Sequence, residues 1–252
     1  MNSTVQNKLA LITGASNPKD IGTAICRKLA SHGINIFFTH WNAEPAWIEK
    51  FQHEMTEMGI QCGNIGIDLS NADAAYQILD HVQTKIGFPS ILVNNAAHST
   101  SDGYLELDAN TLDQHYYVNM RSTFLLCADF ARRFKKNGLN NGRIINMTSG
   151  QDLGPMPGEL AYAATKGAIT AFTKSLSSEV APLGIMVNAV NPGPTDSTWM
   201  NDEIREHLVS KFPTGRIGQP EDAARIIAFL VSDEAEWITG QIFHSEGGFN
   251  RG

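Results

Sequence analysis

Cysteine is scarce in this chain of 252 residues, and its distribution argues against both a disulfide framework and a zinc site. The three cysteines are Cys26, Cys62 and Cys127. An odd number of widely spaced cysteines without a Cys-x-x-Cys motif predicts neither a disulfide framework nor a zinc site. The histidines His98, His115 and His244 share no spacing typical of metal ligands. We therefore expect reduced, buried thiols and no metal site.

Long apolar runs and a surplus of positive charge are also missing. No apolar run approaches the ~18 residues of a membrane span. The first eight residues are polar and lack the apolar segment of a secretion signal. The net charge of −7 argues against nucleic acid or an anionic membrane as the main partner. These absences predict a cytoplasmic protein that acts on a small molecule.

Short apolar runs alternate with segments of helical periodicity along the whole chain. Strands are predicted at 8–13, 35–39, 91–94, 143–147, 186–190 and 241–244, and residues 65–68 are predicted to end a further strand, the third in order. Helices are predicted at 21–31, 46–58, 71–86, 111–136, 161–180 and 221–231. Strict alternation predicts an α/β fold: one Rossmann-like domain over 1–252, with a doubly wound parallel sheet of about seven strands and helices on both faces. Ligands are expected at the carboxyl ends of the strands.

The first strand–helix turn, Thr13 to Gly22, is the predicted dinucleotide site. Gly14 permits a sharp turn, and Gly22 permits backbone to approach a pyrophosphate at a helix N-terminus. The usual middle glycine is absent: Asp20 stands in its place, after extra residues. An ordinary glycine-containing loop is the alternative interpretation.

The end of the second strand bears on cofactor choice. An acidic residue there would bind the ribose 2′-hydroxyl of NAD. This sequence has His40 instead, with no carboxylate before Glu44, and Lys19 in the glycine loop could face a 2′-phosphate. We predict a preference for NADP, with NAD possible; the alternative is that Lys19 and His40 are solvated loop residues.

Two further strand ends carry candidate cofactor contacts. Asp68, followed by Leu69, could accept a hydrogen bond from an adenine amino group. The run Asn94-Asn-Ala-Ala97 follows the next strand and leaves room for a flat ring or ribose. Turn or cap residues are the alternative for both.

Tyr162 and Lys166 form the candidate catalytic pair. On a helix, residues four apart share a face. A neighbouring ammonium favours the phenolate and lowers the pKa of the phenol, so we expect Tyr162 to exchange a proton near neutral pH. Many surface helices contain such a pair by chance, so the spacing alone does not define a site.

Taken together, these motifs resemble the short-chain dehydrogenase/reductase family over essentially the whole chain. The matching elements are Thr13-Gly14, Asp68, Asn94-Asn95-Ala96, Asn119, Ser149, Tyr162, Lys166, Pro192-Gly193, Ile238-Thr-Gly-Gln and Glu246-Gly-Gly-Phe. Within this family, the sequence as a whole most resembles the 3-oxoacyl-[acyl-carrier-protein] reductases.

The resemblance implies a role for each catalytic residue. Ser149 would hydrogen-bond the substrate carbonyl oxygen, and Tyr162 would donate the proton as the nicotinamide supplies hydride. Lys166 would bind the nicotinamide ribose, and Asn119 would anchor a water that links Lys166 to solvent. The implied cofactor contacts are Gly14, Ser16, Asn17, Lys19, Ile21, Gly22, His40, Asp68, Leu69, Asn95, Ala96, Ala97, Tyr162, Lys166, Pro192, Gly193 and Thr195.

The substrate side departs from the family in several places. The enoyl-thioester branch has its tyrosine seven residues before the lysine, but Glu159 stands there, which disfavours that branch. Carrier-binding reductases have an Arg where this chain has Leu183. The basic run Arg132–Lys136 could dock an acidic carrier protein or could be a solvated helix end.

We therefore predict reduction of a ketone, most simply a 3-oxoacyl thioester. The alternatives are an alcohol, sugar or steroid substrate, or a dinucleotide-binding sensor without turnover. A substrate lid is expected at about 195–215, with Trp199 and Met200 lining the pocket, and 151–158 as the other wall. Family members commonly form tetramers through the two long helices and the last strand, so a homotetramer is expected here.

Overall fold

Seven parallel strands form one sheet in the computed structural model, which describes residues 8–251. The polar segment 1–7, used above to argue against a secretion signal, lies outside the described residues. The strands are β1 (Leu9–Ile12), β2 (Asn35–His40), β3 (Cys62–Gly66), β4 (Ile91–Asn94), β5 (Gly142–Met147), β6 (Ile185–Asn191) and β7 (Ile242–His244). Their spatial order is β3-β2-β1-β4-β5-β6-β7.

Helices connect successive strands and cover both faces of the sheet. They are α1 (Ile21–Ala30), α2 (Pro45–Glu57), α3 (Ala74–Lys85), α4 (Ala109–His115), α5 (Ser122–Lys136), α6 (Leu160–Val180), α7 (Asp202–Val209) and α8 (Pro220–Leu230). The predicted doubly wound parallel sheet of seven strands is confirmed.

Alternate residues of each strand point to opposite faces of the sheet, so the sheet divides the core in two. In β2, Phe38 packs with Ile25 and Phe51 on the face covered by α1, α2 and α8. Its neighbour Phe37 packs with Ile78 and other residues on the face covered by α3, α5 and α6. Both phenylalanines are fully buried. Burial on both faces explains why the strands read as continuous apolar runs.

The strand order reverses between β1 and β4, which pair directly. Such a reversal opens a crevice at the carboxyl ends of the two strands, because their connections leave toward opposite faces. Gly14 follows β1 and Asn95 follows β4. The predicted glycine loop and the predicted amide segment therefore face each other across the crevice.

Two predicted boundaries are wrong. The single helix expected over 111–136 is interrupted by a π-helical turn at Tyr116–Arg121. The third strand, which begins at Cys62, ends at Gly66 and not at Asp68, because Ile36 to His40 pair with Cys62 to Gly66 in register. Among residues 8–251, no helix is long and apolar enough to cross a membrane.

The cysteines are free thiols: Cys26 and Cys127 are buried, and Cys62 is partly buried. Burial raises the pKa of Cys62 and of Cys127 to about 12 in each case. In the described part of the chain, no group of three or more His, Cys, Asp or Glu side chains could hold a metal ion.

Candidate active site

The glycine loop brings backbone into contact with backbone at two positions. A Cβ on Gly14, whose φ is +76°, would lie 2.7 Å from the Cα of Ala96. A Cβ on Gly22 would lie 2.1 Å from the carbonyl oxygen of Gly14. No side chain fits at either position, so α1 starts directly against the turn. Neither glycine therefore places a side chain over the N-terminus of α1.

Asp20 organises the part of the glycine loop that contains the extra residues. Its Oδ2 accepts hydrogen bonds from the backbone N–H groups of Ser16 (2.7 Å) and Asn17 (3.0 Å). Its Oδ1 accepts from the N–H of Thr23 (2.7 Å) and so caps α1. A carboxylate is well placed at a helix N-terminus, where the macrodipole is positive. Asp20 thus organises the loop and caps α1, a role that the sequence motif does not reveal.

A cleft of about 580 Å³ lies at the crevice. Nine of the predicted cofactor contacts line it: Gly14, Ser16, Ile21, His40, Asp68, Leu69, Asn95, Ala96 and Ala97. Its wall also includes Asp20, Thr39, Trp41, Ile67, Ser70, His98, Gln114, Val118, Ser197 and Trp199. The predicted contacts Asn17, Lys19, Gly22, Tyr162, Lys166, Pro192, Gly193 and Thr195 are not among the lining residues.

The amides after β4 hold the crevice together. Asn95 Nδ2 donates to the carbonyl oxygens of Thr13 (3.0 Å) and Gly14 (2.8 Å). Asn94 is buried, and its Nδ2 donates to Asn146 Oδ1 at 2.8 Å. The side-chain amides of Asn94 and Asn95 therefore form hydrogen bonds within the protein. The small residues Ala96 and Ala97 line the cleft.

Asp68 both lines the cleft and caps a turn, since its Oδ1 accepts from the N–H of Ser70 at 2.8 Å. The two interpretations of this residue are compatible. Only one carboxylate oxygen is used in that bond, so the other is available to a ligand.

The end of β2 presents a histidine and a tryptophan to the cleft. His40 Nε2 lies 3.2 Å from Asn64 Oδ1, and the ring packs against Gly66, where a Cβ would lie 2.9 Å from its Cε1. Trp41 is 56% exposed. The side chain of Lys19 is exposed and lies outside the cleft lining. Of the two residues invoked for NADP, the structure therefore places only His40 at the cleft.

At the other end of the site, Ser149 and Tyr162 meet. The Ser149 hydroxyl lies close enough to the Tyr162 phenol to lower its pKa, although thirteen residues separate the two in sequence. Lys166 is one turn further along α6, and its Nζ lies 5.4 Å from the centroid of the Tyr162 ring. Nζ also donates to the carbonyl oxygen of Met147, at the end of β5, at 2.9 Å. The predicted triad is thus assembled at the strand ends.

The electrostatics of the pair differ from the expectation. Burial raises the pKa of Tyr162 to about 12; the hydrogen bond from Ser149 opposes this rise and the charge of Glu159 adds to it. Burial lowers the pKa of Lys166 to about 8. Burial dominates both shifts, so the pKa of the phenol is raised and not lowered as the sequence predicts. At neutral pH, Tyr162 is a proton donor and Lys166 a buried cation.

Asn119 is buried in the π-helical turn and is fully engaged. Its Oδ1 accepts from the N–H of His98 at 2.7 Å, and its Nδ2 donates to the oxygen of His98 at 2.9 Å and to Thr165 Oγ1 at 3.0 Å. Thr165 precedes Lys166 in α6. π-Helical turns within α-helices often occur at functional sites. The water predicted beside Asn119 stays a prediction.

Gln151 begins the segment 151–158 that is predicted as a pocket wall, and its side chain also binds the backbone of Ser149. Its Oε1 accepts from the N–H of Ser149 at 3.2 Å. Its Nε2 donates to Thr148 Oγ1 and to Thr170 Oγ1, each at 3.1 Å. This amide fixes the backbone of Ser149 to α6. Only its position two residues after the serine could have indicated this role.

The segment after β6 lies beside the serine. The N–H of Thr148 donates to the oxygen of Val190 at 2.9 Å, so the end of β6 flanks Ser149. Pro192 and Gly193 follow immediately, and the N–H of Gly193 is bound by Asn191 Oδ1 at 2.9 Å. The structure therefore brings this predicted nicotinamide contact to the catalytic end.

The region predicted as a lid contains α7. Trp199 is 55% exposed and lines the cleft, as expected. Met200 is different: it is buried in a small apolar cluster with Phe212 and Ile217. It stabilises this region internally and is not among the residues that line the cleft.

The basic run at the end of α5 is partly neutralised. Arg133 forms ion pairs with Asp80 and with Asp129, the latter at 2.7 Å, and Arg132 lies 3.5 Å from Asp129. These contacts favour the interpretation as a charged helix end.

The site fits a dinucleotide on its own geometry. Two glycines form a cradle that a Cβ would fill, beside a helix N-terminus and a cleft at the switch point of the sheet. A buried tyrosine, serine and lysine complete the other end. A fold and site of this kind define an oxidoreductase of the nicotinamide-dependent class.

Comparison with known proteins identifies the family. A family model described as enoyl-(acyl carrier protein) reductase matches residues 14–250. The chain is 73% identical over 247 residues to the uncharacterized oxidoreductase YjdA of Bacillus subtilis, covering 98% of each. It is 32% identical over 252 residues to the 3-oxoacyl-[acyl-carrier-protein] reductase FabG of Aquifex aeolicus, covering 98% of this chain and 99% of that protein.

A solved short-chain dehydrogenase/reductase from Serratia marcescens superposes with a TM-score of 0.88 at 32% identity, covering 98% of this chain and 99% of that one. The protein belongs to the short-chain dehydrogenase/reductase family and is an oxidoreductase. Its use of a nicotinamide cofactor follows from the family.

Proposed function

We propose that this protein is an NADP(H)-preferring reductase that converts a ketone to a secondary alcohol. The observation that carries this proposal is the grouping of Ser149 and Tyr162 with the buried Lys166, whose Nζ lies 5.4 Å from the centroid of the Tyr162 ring. The bound nicotinamide would supply hydride to the carbonyl carbon. The protein's contribution is to orient the substrate and supply the proton.

Each catalytic side chain has a separate task in this proposal. The Ser149 hydroxyl holds the carbonyl oxygen beside the phenol, and Tyr162 transfers its proton to that oxygen. The phenol is protonated at neutral pH and can therefore donate its proton to the oxygen as hydride arrives. Lys166 binds the ribose of the cofactor, and Asn119 holds the water through which the proton is resupplied.

The preference for NADP rests on His40 at the end of β2. A carboxylate at this position would accept the ribose 2′-hydroxyl and repel a 2′-phosphate, whereas an imidazole does not repel it. His40 lines the cleft. Lys19 is exposed on the same loop as Ser16 and Asn17 and would have to reach the phosphate from solvent.

The proposed substrate is a 3-oxoacyl thioester, supported by the similarity to FabG. A second candidate is a small ketone without a carrier protein. The ion pairs of Arg132 and Arg133 favour it, since they leave less free positive charge for an acidic carrier. Leu183, which stands where carrier-binding reductases have an arginine, also favours the small ketone.

Three further features belong to the proposal. Residues 195–215 would act as a lid, since Ser197 and Trp199 of this segment line the cleft. The protein would be a cytoplasmic homotetramer, assembled through its long helices and β7. The 94% exposed Trp237, just before β7, offers an apolar surface that a second copy would cover.

A substrate panel tests the proposed function. Purified protein with NADPH or NADH is offered 3-oxoacyl thioesters, small ketones, sugars and steroids, and loss of nicotinamide absorbance is followed. Turnover with a thioester and NADPH would support the proposal. Turnover only with a small ketone would select the second candidate. Tight cofactor binding without any turnover would indicate a sensor and overturn the proposal.

A further inference from the structure

Helix α6, which carries Tyr162 and Lys166, begins without a cap of its own. The residue at its N-cap position, Glu159, makes no side-chain hydrogen bond to the helix. Its backbone angles, φ −136° and ψ 44°, depart from the extended conformation in which an N-cap side chain reaches the first turn. The first N–H groups of a helix nevertheless need acceptors.

Asp102 supplies these acceptors from a distant part of the chain. Its Oδ1 accepts from the N–H of Leu160 at 2.6 Å, and its Oδ2 accepts from the N–H of Ala161 at 2.9 Å. Its own N–H donates to the carbonyl oxygen of Gly158 at 2.7 Å. Asp102 is only 7% exposed. A buried carboxylate with two N–H donors at the positive end of a helix makes strong, directed bonds.

The bonds of Asp102 lie immediately before the reacting residue. Leu160 and Ala161 directly precede Tyr162, so the carboxylate fixes the helix within one turn of the phenol. Tyr162 must reach Ser149, which is carried by a different element at the end of β5. The distance between the two hydroxyls therefore depends on where α6 begins.

The other end of the same loop is tied to Asn119. The N–H and the carbonyl of His98 are both bound by the Asn119 amide, at 2.7 Å and 2.9 Å. The N–H of Thr100 donates to Nε2 of the buried His115 at 3.3 Å. Segment 98–102 is thus a brace between the π-helical turn and the start of α6.

We propose that Asp102 is a positioning residue for the reaction: it sets the placement of α6 so that the Tyr162 hydroxyl meets Ser149. This inference rests on the proposed reductase function. Asp102 acts through the helix and is not among the residues that line the cleft. A displacement of about 1 Å at a reacting group can lower a rate on the order of 10²-fold.

The experiment compares Asp102→Ala and Asp102→Asn with Asp108→Ala in the full-length protein. Asp108 is the control for the loss of a helix cap: its Oδ1 caps α4 by accepting from the N–H of Thr111 at 2.8 Å, and α4 carries His115 of the brace but neither Ser149, Tyr162 nor Lys166. The measurements are kcat and KM for a ketone that the wild type reduces, the Kd for NADPH, and the melting temperature.

Both alanine variants are expected to melt below the wild type, because each removes a helix cap. Only Asp102→Ala should also lower kcat, by about tenfold or more, while the Kd for NADPH stays within about twofold. Asp102→Asn, which keeps one acceptor, should lower kcat by about threefold.

Equal kcat values for Asp102→Ala and Asp108→Ala would overturn the inference. If Asp102→Ala does not fold, Asp102→Asn decides: a kcat equal to that of the wild type refutes the positioning role. A wild type without turnover on any carbonyl compound would overturn the proposed function itself, and this inference with it.

Discussion

The two ends of the candidate site reach their geometry by different means. At the catalytic end, Ser149, Tyr162 and Lys166 are held by one strand end and one helix, in the spacing that the family shares. At the nucleotide end, the loop is longer, and the Asp20 carboxylate organises it through three backbone N–H groups. Proton transfer needs particular side chains at fixed separations. Phosphate binding needs accessible backbone, which several loops can provide.

Replacing Lys166 by Met tests the catalytic end and should have the largest effect. The loss of the ammonium removes the ribose contact and the proton path, so kcat should fall by about 10²–10⁴-fold. Lys174→Met, an exposed change on the same helix, is the control and should leave kcat unchanged. Initial rates at saturating NADPH measure both. A Lys166 variant with normal kcat would break the assignment of this end.

Replacing Gly22 by Ala tests the nucleotide end. The new Cβ would lie 2.1 Å from the oxygen of Gly14, so the loop and α1 must separate. The Kd for NADPH should rise by about tenfold or more, and the protein should lose roughly 1–3 kcal/mol of stability. Fluorescence titration and urea unfolding measure the two effects.

Gly167→Ala is the matched control for Gly22→Ala. Its Cβ would meet only Gln151 at 3.9 Å, and alanine in a helix is favoured over glycine by about 1 kcal/mol. A Gly22 variant with unchanged cofactor affinity would show that the cradle does not hold the dinucleotide.

Replacing His40 by Asp changes only the nucleotide end of the site. It should change the preference between NADPH and NADH. The carboxylate would repel a 2′-phosphate and accept the 2′-hydroxyl of NAD, so the NADPH/NADH affinity ratio should fall by about tenfold or more. His32→Asp, an exposed change in the loop after α1, is the control. Tighter binding of NADH than of NADPH by the wild type would refute the preference for NADP.

The stability of the protein should depend on pH through Lys166. Its pKa is lowered from 10.5 to about 8, so between these values the unfolded chain binds more protons than the folded chain. The free energy of unfolding should therefore rise from pH 8 to about 10.5, by on the order of 2–3 kcal/mol. Above pH 10 the raised pKa of Tyr162 acts in the opposite direction.

The Lys166→Met variant should lack this rise in stability, since its side chain does not titrate. Urea unfolding of the wild type and the variant at pH 7.5 and pH 9.5 gives the comparison. Parallel pH dependence of the two proteins would show that Lys166 is not a costly buried cation.

The sequence alone predicts the alternation of strands and helices and the pairing of Tyr162 with Lys166, because periodicity and helical spacing are local properties. It was not sufficient for the break at Tyr116–Arg121 or for the cap that Asp102 provides, since both depend on contacts with distant segments. The pKa of Tyr162 was expected to fall because burial cannot be read from the motif. Met200 was expected in the pocket for the same reason.

Substitution of Tyr162 by Phe, measured on turnover and on cofactor binding in the same preparation, tests the central claim most directly. Phenylalanine keeps the ring and removes the proton donor that meets Ser149. The account predicts that ketone reduction falls by about 10²–10⁴-fold while the Kd for NADPH stays close to that of the wild type. Undiminished reduction by the Phe variant would contradict it.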